Sequence, residues 1–600
     1  MQSKPDAPPE AGDFDGRALK QSGHVALVIG SDTRAFLAVV RSLGRQGVTV
    51  HVAPYDFASP ALQSRFIAQI HRLPSLQAGS DAAEGAALWV AALSELCARI
   101  RPDFIIPCDD RSIIPLQFHA AELTHLCIAL PGREAFEAFF DKGNTRALAQ
   151  ACGVPVAPGQ VLGAADTAES LVAAYGLPLY VKPRNSYLLR SLDRRRDVVA
   201  CPDAEALRGV LSTVGTREEY IVEGRQRGIG VGVSVLARDG EVTQLFQHRR
   251  VRERTGGGGS TYRVSERPDP ALARMVRAMA AATRLDGVAM FEFKVDDDTQ
   301  SAALLEVNAR FWGSLPLAVA SGVDFPWLWM RQALCAPPSA PIAYRAPYYA
   351  RNPVADLYAM RAHIGSLRAE GRLAQSLEAG RWLASLARIP LGRECLDTLA
   401  RDDPRPGWSE MRGLRDGVLR RLRRRTPGDP SATGLVAEAC RAARAEGRAL
   451  RVVVACWGNI CRSPYAVLRL REALGADGSA IEVSGAALGG RQGRPSPAAA
   501  IAAAARLGID LAAHRSHFAD EALLEAADLV IVFDRSNLDL LASRGIHLRR
   551  PAVPLRRLLA EGAGNDDIAD PIGGDDAVFD SCYGLIDRGV AALAASLRAP

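Results

Sequence analysis

The chain has 600 residues, 48% apolar and 23% charged. That is a globular composition of roughly four folding units, which excludes a disordered, collagen-like or disulfide-stapled protein. Its 73 Lys+Arg against 67 Asp+Glu leave a net charge of +6, too dilute over this length to argue for a nucleic-acid partner.

No uncharged apolar run reaches the roughly 18 residues that a spanning helix needs, so no integral membrane segment is expected. Eleven scattered cysteines without CxxC pairs fit reduced thiols in a cytoplasmic protein. In chain order, residues 1–23 read as a polar, disordered leader. Residues 24–30 read as a buried strand, 33–44 as a helix and 48–52 as a second strand. With an amphipathic helix at 86–100 and a strand at 103–107, residues 24–135 form a parallel α/β domain. Over 136–340 the texture turns to strands, at 219–223, 230–237, 242–247, 287–295 and 302–307, as expected of an α+β domain with antiparallel sheet. Within it, Arg249 to Arg254 followed by Thr255-Gly-Gly-Gly-Gly-Ser260 reads as a substrate lid or a hairpin tip. Residues 341–449 read as a helical connector and linker, with the basic stretch 420–425 as a solvated helix end. A second parallel-sheet α/β domain occupies 450–600, so the fold class is multidomain α/β.

Between the apolar strand at 451–455 and a helix from 464 lies Cys456-Trp-Gly-Asn-Ile-Cys-Arg-Ser-Pro464. Such a loop turns successive backbone N–H groups and a helix N-terminus toward one point, which suits a tetrahedral oxyanion. Gly458 and Asn459 tolerate the left-handed backbone that this curvature needs. Arg462 can fork onto two phosphate oxygens, and Ser463 can donate to the sulfur. The positive field favours a Cys456 thiolate able to attack phosphorus. The Cys-x5-Arg spacing alone carries little weight, because it starts at Cys127, Cys395, Cys456 and Cys582 alike. Only the Cys456 copy adds the Gly-Asn pair, a serine after the arginine and a strand-to-helix setting. Expelling an alkoxide or phenoxide also needs a proton donor, which Asp570 in Asp566-Asp-Ile-Ala-Asp-Pro571 offers. Cys461, in the same loop, is expected to capture an oxidised Cys456 as a disulfide.

With these motifs and Ala527-Asp-Leu-Val-Ile-Val-Phe-Asp-Arg535, residues 450–598 resemble a low-molecular-weight protein-tyrosine phosphatase. The resemblance implies Cys456 as nucleophile, Arg462 as phosphate ligand and Asp570 as general acid. It makes Gly458, Asn459, Cys461 and Ser463 supports of the loop, with no cofactor. Ile572 stands where many members carry an aromatic residue, and Trp457 enlarges the mouth. The related arsenate reductases use further downstream cysteines, and none lies between Cys461 and Cys582.

Only five of the cations are lysines, which singles out Lys142 in Asp141-Lys-Gly-Asn-Thr145 and Lys182 in Leu179-Tyr-Val-Lys-Pro183. Phe291-Glu-Phe-Lys-Val295 and Leu304-Leu-Glu-Val-Asn308 supply Glu292, Glu306 and Asn308, hard oxygen donors of the kind Mg²⁺ takes alongside phosphates. Their order and spacing resemble the ATP-grasp superfamily, in its carbamoyl-phosphate-synthase-like branch, over residues 24–340. The resemblance implies ATP and Mg²⁺ as cofactors, with Lys142 and Lys182 on the phosphates and Glu223 at the adenine hinge. It further implies Glu292, Glu306 and Asn308 on the metal, and Arg310 facing the γ-phosphate or an acyl phosphate. The carboxylate that many members offer to ribose is replaced by the glycine-rich stretch 228–232. Together the halves are expected to form a bifunctional enzyme. A ligase joining small-molecule carboxylate and amine substrates would be fused to a phosphatase acting on phosphorylated protein or a small phosphate ester. Two alternatives stand beside it: a nucleotide-sensing module that regulates the phosphatase, and a metabolic phosphatase that acts on the ligase product.

Overall fold

In the computed structural model the chain divides into two compact units, Met1–Gly417 and Val418–Pro600. The structure describes residues 23–30, 34–74, 82–189, 192, 195–214, 216–253, 259–296, 298–334, 340–367, 372–423, 431–475, 480–489, 492–543, 548–559, 567–572 and 576–598. Residues 1–22 of the expected leader, residues 254–258 of the lid and the end of the basic stretch 420–425 lie outside the described residues.

The first unit opens with a parallel sheet of β1 (Val25–Gly30), β2 (Thr49–Pro54), β3 (Ile67–Ile70) and β4 (Phe104–Pro107), in the order β3-β2-β1-β4. β1 is apolar along its length because both faces of such a sheet are covered. Ala26 and Val28 enter one core, Leu27 and Ile29 another. The chain leaves β1 for β2 on one side and later returns to β4 on the other. The carboxyl ends of β1 and β4 therefore flank the topological switch point, where open α/β sheets hold their ligands.

An antiparallel sheet follows, built from β5 (Gly159–Val161), β6 (Leu179–Pro183), β7 (Val199–Cys201) and β8 (Tyr220–Gly224) in the order β5-β8-β6-β7. The largest sheet holds β9 (Ile229–Arg238), β10 (Glu241–Glu253), β11 (Ser260–Glu266), β12 (Gly287–Val295), β13 (Ala302–Asn308), β14 (Tyr349–Arg351) and β15 (Glu394–Leu396). Its order is β13-β12-β9-β10-β11-β14-β15. The helix Pro270–Ala282 covers it through Leu272, Val276 and Met279, which share a core with Val233, Val235 and Phe291.

Residues 341–449 hold more than helix. β14 and β15 extend the large sheet, and Arg351 clamps them by ion pairs to Glu394 at 2.6 Å and Asp356 at 2.7 Å. Strands of three residues are too short to leave a period-two signature in the sequence. The helix Ala432–Ala445, in turn, buries Leu435, Val436 and Ala439 in the core of the second unit.

That second unit carries a parallel sheet of β16 (Leu450–Cys456), β17 (Ile481–Ala487), β18 (Leu529–Val532) and β19 (Val553–Pro554), ordered β17-β16-β18-β19. Val452 and Val454 of β16 enter one core and Val453 and Ala455 the other, so the strand is fixed from both faces. Among the described residues no helix is long and apolar enough to cross a membrane.

Candidate active sites

β16 is paired on both edges, so Cys456 is delivered at a fixed point where the chain turns into the helix Arg462–Leu474. Cys456 is 3% exposed. Its Sγ accepts from the Asn459 N–H at 3.2 Å and lies 3.0 Å from Ser463 Oγ. These contacts hold the sulfur in one position at the base of the loop.

Asn459 organises the turn. It is fully buried with φ +49, and its side-chain amide donates to Ser463 Oγ at 2.8 Å. Its Oδ1 accepts from the His517 N–H at 2.9 Å, and its carbonyl accepts from His514 Nε2 at 2.7 Å. Of the two residues expected to adopt the left-handed backbone, Asn459 does so and Gly458 does not. Asparagine can both tolerate that region and bond outward from it. Gly485 on β17 leaves the room it needs, since a Cβ there would come within 3.1 Å of the Asn459 amide nitrogen.

Arg462 is 1% exposed and spans two carboxylates. One terminal nitrogen donates to Asp534 and, at 2.9 Å, to the Ile568 carbonyl; the other donates to Asp570 at 2.6 Å. Its Nε–H has no hydrogen-bond partner. Burial pushes the Asp534 carboxyl up, but Ser536, Arg462 and the Asn537 N–H hold it below the usual range. Sequence reasoning missed Asp534, although it lies only two residues beyond β18 in the stretch that carried the resemblance. Burial pushes the thiols of Cys461 and Cys582 up to about 12. The described cysteines are free thiols. Trp457 and Ile572 are exposed.

In the first unit Lys142 opens the helix Lys142–Ala151, whose cap Asp141 accepts from the Gly143 and Asn144 N–H groups. Lys142 Nζ donates to Ser186 Oγ at 2.9 Å, and burial lowers its pKa against the opposing pull of Glu306 and Asp110. Lys142, Glu306, Asn308 and Arg310 line one cavity of 380 Å³. Glu292 and Glu306 are cross-strand partners on β12 and β13. Glu292 is ion-paired with Arg250, and its carboxyl is raised, first by burial. Burial acts on Glu306 as well, but Lys142, the Asn308 amide, Lys182 and Arg310 outweigh it and keep that carboxyl low. Arg310 forks onto Asp110 at 2.6 and 3.3 Å.

Glu292 does not line this cavity, and neither do Lys182 and Glu223. They pair with each other across β6 and β8 at 2.5 Å, with Arg146 3.4 Å from the second Glu223 oxygen. The Glu223 carboxylate is thus occupied by two cations. Among the described residues no group of three or more His, Cys, Asp or Glu is gathered for a metal, so the candidate donors are two carboxylates and an amide.

A family model for low molecular weight phosphotyrosine protein phosphatases matches residues 451–600. A probable low molecular weight protein-tyrosine-phosphatase EpsP of Ralstonia nicotianae is 32% identical over 148 residues, 25% of this chain and 96% of that protein. Through its C-terminal unit, the chain belongs to this family. The first unit carries an ATP-grasp domain: a model described as ATP-grasp in the biosynthetic pathway with Ter operon matches residues 218–352. A D-alanine–D-alanine ligase of Acidiphilium cryptum is 29% identical over 227 residues, 34% of this chain and 68% of that protein. Among solved structures, an L-amino acid ligase from Bacillus licheniformis is 18% identical with a TM-score of 0.40, over 52% of this chain and 74% of that one. The chain therefore joins an ATP-grasp domain to a low-molecular-weight phosphatase domain, both of them enzyme domains.

Proposed function

We propose that the protein is a bifunctional enzyme. An ATP- and Mg²⁺-dependent ligase, joining a carboxylate to an amine or similar nucleophile, is fused to a phosphatase for phosphotyrosine-type monoesters. One observation carries the phosphatase half: the Cys456 sulfur, the Asn459 N–H, Ser463 and the unpartnered Arg462 Nε–H are gathered in one buried loop.

In the first step Cys456 attacks phosphorus while loop N–H groups and Arg462 hold the equatorial oxygens. The phosphate dianion competes with Asp570 for the Arg462 guanidinium. The displaced carboxyl, now beside a dianion, takes up a proton and passes it to the leaving oxygen. In the second step Asp570 accepts a proton from the water that hydrolyses the phosphocysteine. Asp534 stays on Arg462 throughout and keeps the guanidinium in place.

In the ligase half, Lys142 holds the triphosphate, whose charge offsets the burial of its ammonium, and Lys182 joins it on exchanging Glu223 for a phosphate oxygen. The donor set fits Mg²⁺ through Glu306 and Asn308, hard oxygen donors that line the cavity, with Glu292 opposite Glu306 on β12 joining them on release from Arg250. When bound, the ion screens the phosphate charge that would repel an attacking carboxylate. Arg310 meets the acyl phosphate. The ATP-grasp match and the likeness to a D-alanine–D-alanine ligase support this half. A chemistry that needs ATP and a reduced thiol fits the cytoplasm.

The experiment is to purify the full chain and measure ADP release across a panel of acids, each with and without amines, alongside hydrolysis of a phosphotyrosine peptide. Acid-stimulated ADP release together with peptide hydrolysis is the expected result. ATP altering peptide hydrolysis with no acid-stimulated ADP release would identify a nucleotide sensor instead. Hydrolysis confined to the ligase's own product would identify a metabolic phosphatase.

A further inference from the structure

A second cavity, of 260 Å³, lies at the switch point of the β1–β4 sheet, lined by Ala35 after β1 and by Cys108 and Asp109 after β4. It shares Asp110, Tyr187, Arg195 and Arg310 with the 380 Å³ cavity, so the two adjoin where an acyl phosphate would form. Its walls are cationic in balance. The guanidiniums of Arg111, Arg195 and Arg310 line it, against the carboxylates of Asp109 and Asp110. Asp110 is already forked onto Arg310. Asp109 caps the helix Asp110–Phe118, accepting from the Ser112 N–H at 3.0 Å and the Ser112 hydroxyl at 2.7 Å. Burial also pushes its carboxyl up, against the opposing pull of the Ser112 hydrogen bonds and Arg111.

That leaves Arg111 and Arg195. Neither has an ion pair among the described residues, and the Arg111 Nε–H is buried without a hydrogen-bond partner. The Arg111 guanidinium is held over the Tyr55 ring at 4.5 Å. Arg111 is half-buried and Arg195 exposed, so a ligand entering this cavity can reach both guanidiniums, and a second anionic group would find charge-assisted donors there. Arg310 lines both cavities and Arg111 only this one, so an acid whose activated carboxylate meets Arg310 can place a second charge at Arg111.

We propose that Arg111 and Arg195 bind a second anionic group on the acid that the ligase activates, making the substrate a dicarboxylate, such as an acidic amino acid, or a phosphorylated carboxylic acid. This assignment presupposes the ligase activity proposed above. One carboxylate oxygen attacks the γ-phosphorus and the bond to the ADP oxygen breaks. The nitrogen nucleophile then attacks the acyl carbon, losing a proton as inorganic phosphate leaves. The second anion stays on the two arginines and takes no part in bond making.

The test is calorimetric titration of the full chain, saturated with Mg²⁺ and a non-hydrolysable ATP analogue, with L-glutamate, succinate and O-phosphoserine against L-glutamine, butyrate and serine. The doubly charged acids should bind at least about tenfold more tightly than their singly charged counterparts, the scale of one good charge-assisted contact. Arg111→Gln should abolish that preference and Arg111→Lys should restore part of it. Arg111 does not line the nucleotide cavity, so binding of the analogue to each variant reports folding. Equal binding of both classes, binding of neither, or a preference that survives in Arg111→Gln overturns the proposal. The relative affinity of O-phosphoserine and the dicarboxylates tells the two kinds of anion apart. Preferential diacid binding without ADP release supports the site while refuting ligase turnover. ADP release that favours monoacids refutes the site and leaves the ligase standing.

Discussion

Replacing Asn459 by alanine tests how the phosphate loop is held together. The side chain makes a buried hydrogen bond to Ser463 Oγ and a part-buried one from the His517 N–H, on a residue with φ +49. Alanine would leave the His517 N–H without its acceptor, at about 1–3 kcal/mol, and remove one donor from Ser463, at about 1 kcal/mol. Like the wild-type asparagine, alanine also holds a β-carbon in the left-handed region, a strain of about 1–2 kcal/mol that only glycine escapes. Relative to the wild type the hydrogen-bond losses come to about 2–4 kcal/mol, a large share of an ordinary domain's stability. Glycine loses the same hydrogen bonds without the strain. Asn459→Gly should therefore be the more stable variant by about 1 kcal/mol or slightly more, the reverse of the usual order in regular structure. The assay is urea unfolding of each variant, followed by loss of hydrolysis of p-nitrophenyl phosphate and checked by calorimetry. Equal midpoints for the alanine and glycine variants would refute the left-handed strain. A loss under about 1 kcal/mol in both would refute the hydrogen-bond network.

Asp570→Asn should lower kcat on a phosphotyrosine peptide by about 10²- to 10⁴-fold, and by much less on an ester whose leaving group needs no proton. Because Asp570 occupies Arg462, its KM should fall; a KM that rises would contradict the exchange of ligands on that arginine. For Lys142, whose pKa is lowered by burial, the charged form is complete only below that lowered value. Nucleotide affinity should therefore weaken as pH rises through a range below the ordinary lysine value, and Lys142→Arg should flatten the profile in titrations between pH 7 and 10; a wild-type profile that is flat would contradict the assignment. Peroxide followed by thiol reductant should restore phosphatase activity in the wild type but little in Cys461→Ser, and equal recovery would reduce Cys461 to packing.

The phosphate loop was legible because several independent marks coincide on it: an apolar strand, a Gly-Asn pair, Arg-Ser, and a helix behind them. Asp534 was not, since a carboxylate just past a strand end has no spacing that separates a structural partner from an ordinary solvated charge. Rarity exposed Lys142 and Lys182 in a chain that prefers arginine, yet it could not foresee that Lys142 lines the cavity while Lys182 is held by Glu223. The same preference hid Arg111 and Arg195, which no motif marks and which only folding brings to one cavity with Arg310. β14 and β15 escaped for a different reason, because three-residue strands set by long-range pairing leave no local pattern.

The most direct test measures both activities on one purified full-length protein and two variants. Cys456→Ser removes the nucleophile, and Glu306→Gln removes a metal donor while keeping its shape. The account predicts that Cys456→Ser loses phosphotyrosine hydrolysis to background and keeps acid-stimulated ADP release, and that Glu306→Gln does the reverse. Undiminished hydrolysis in Cys456→Ser, or undiminished ADP release in Glu306→Gln, would contradict it.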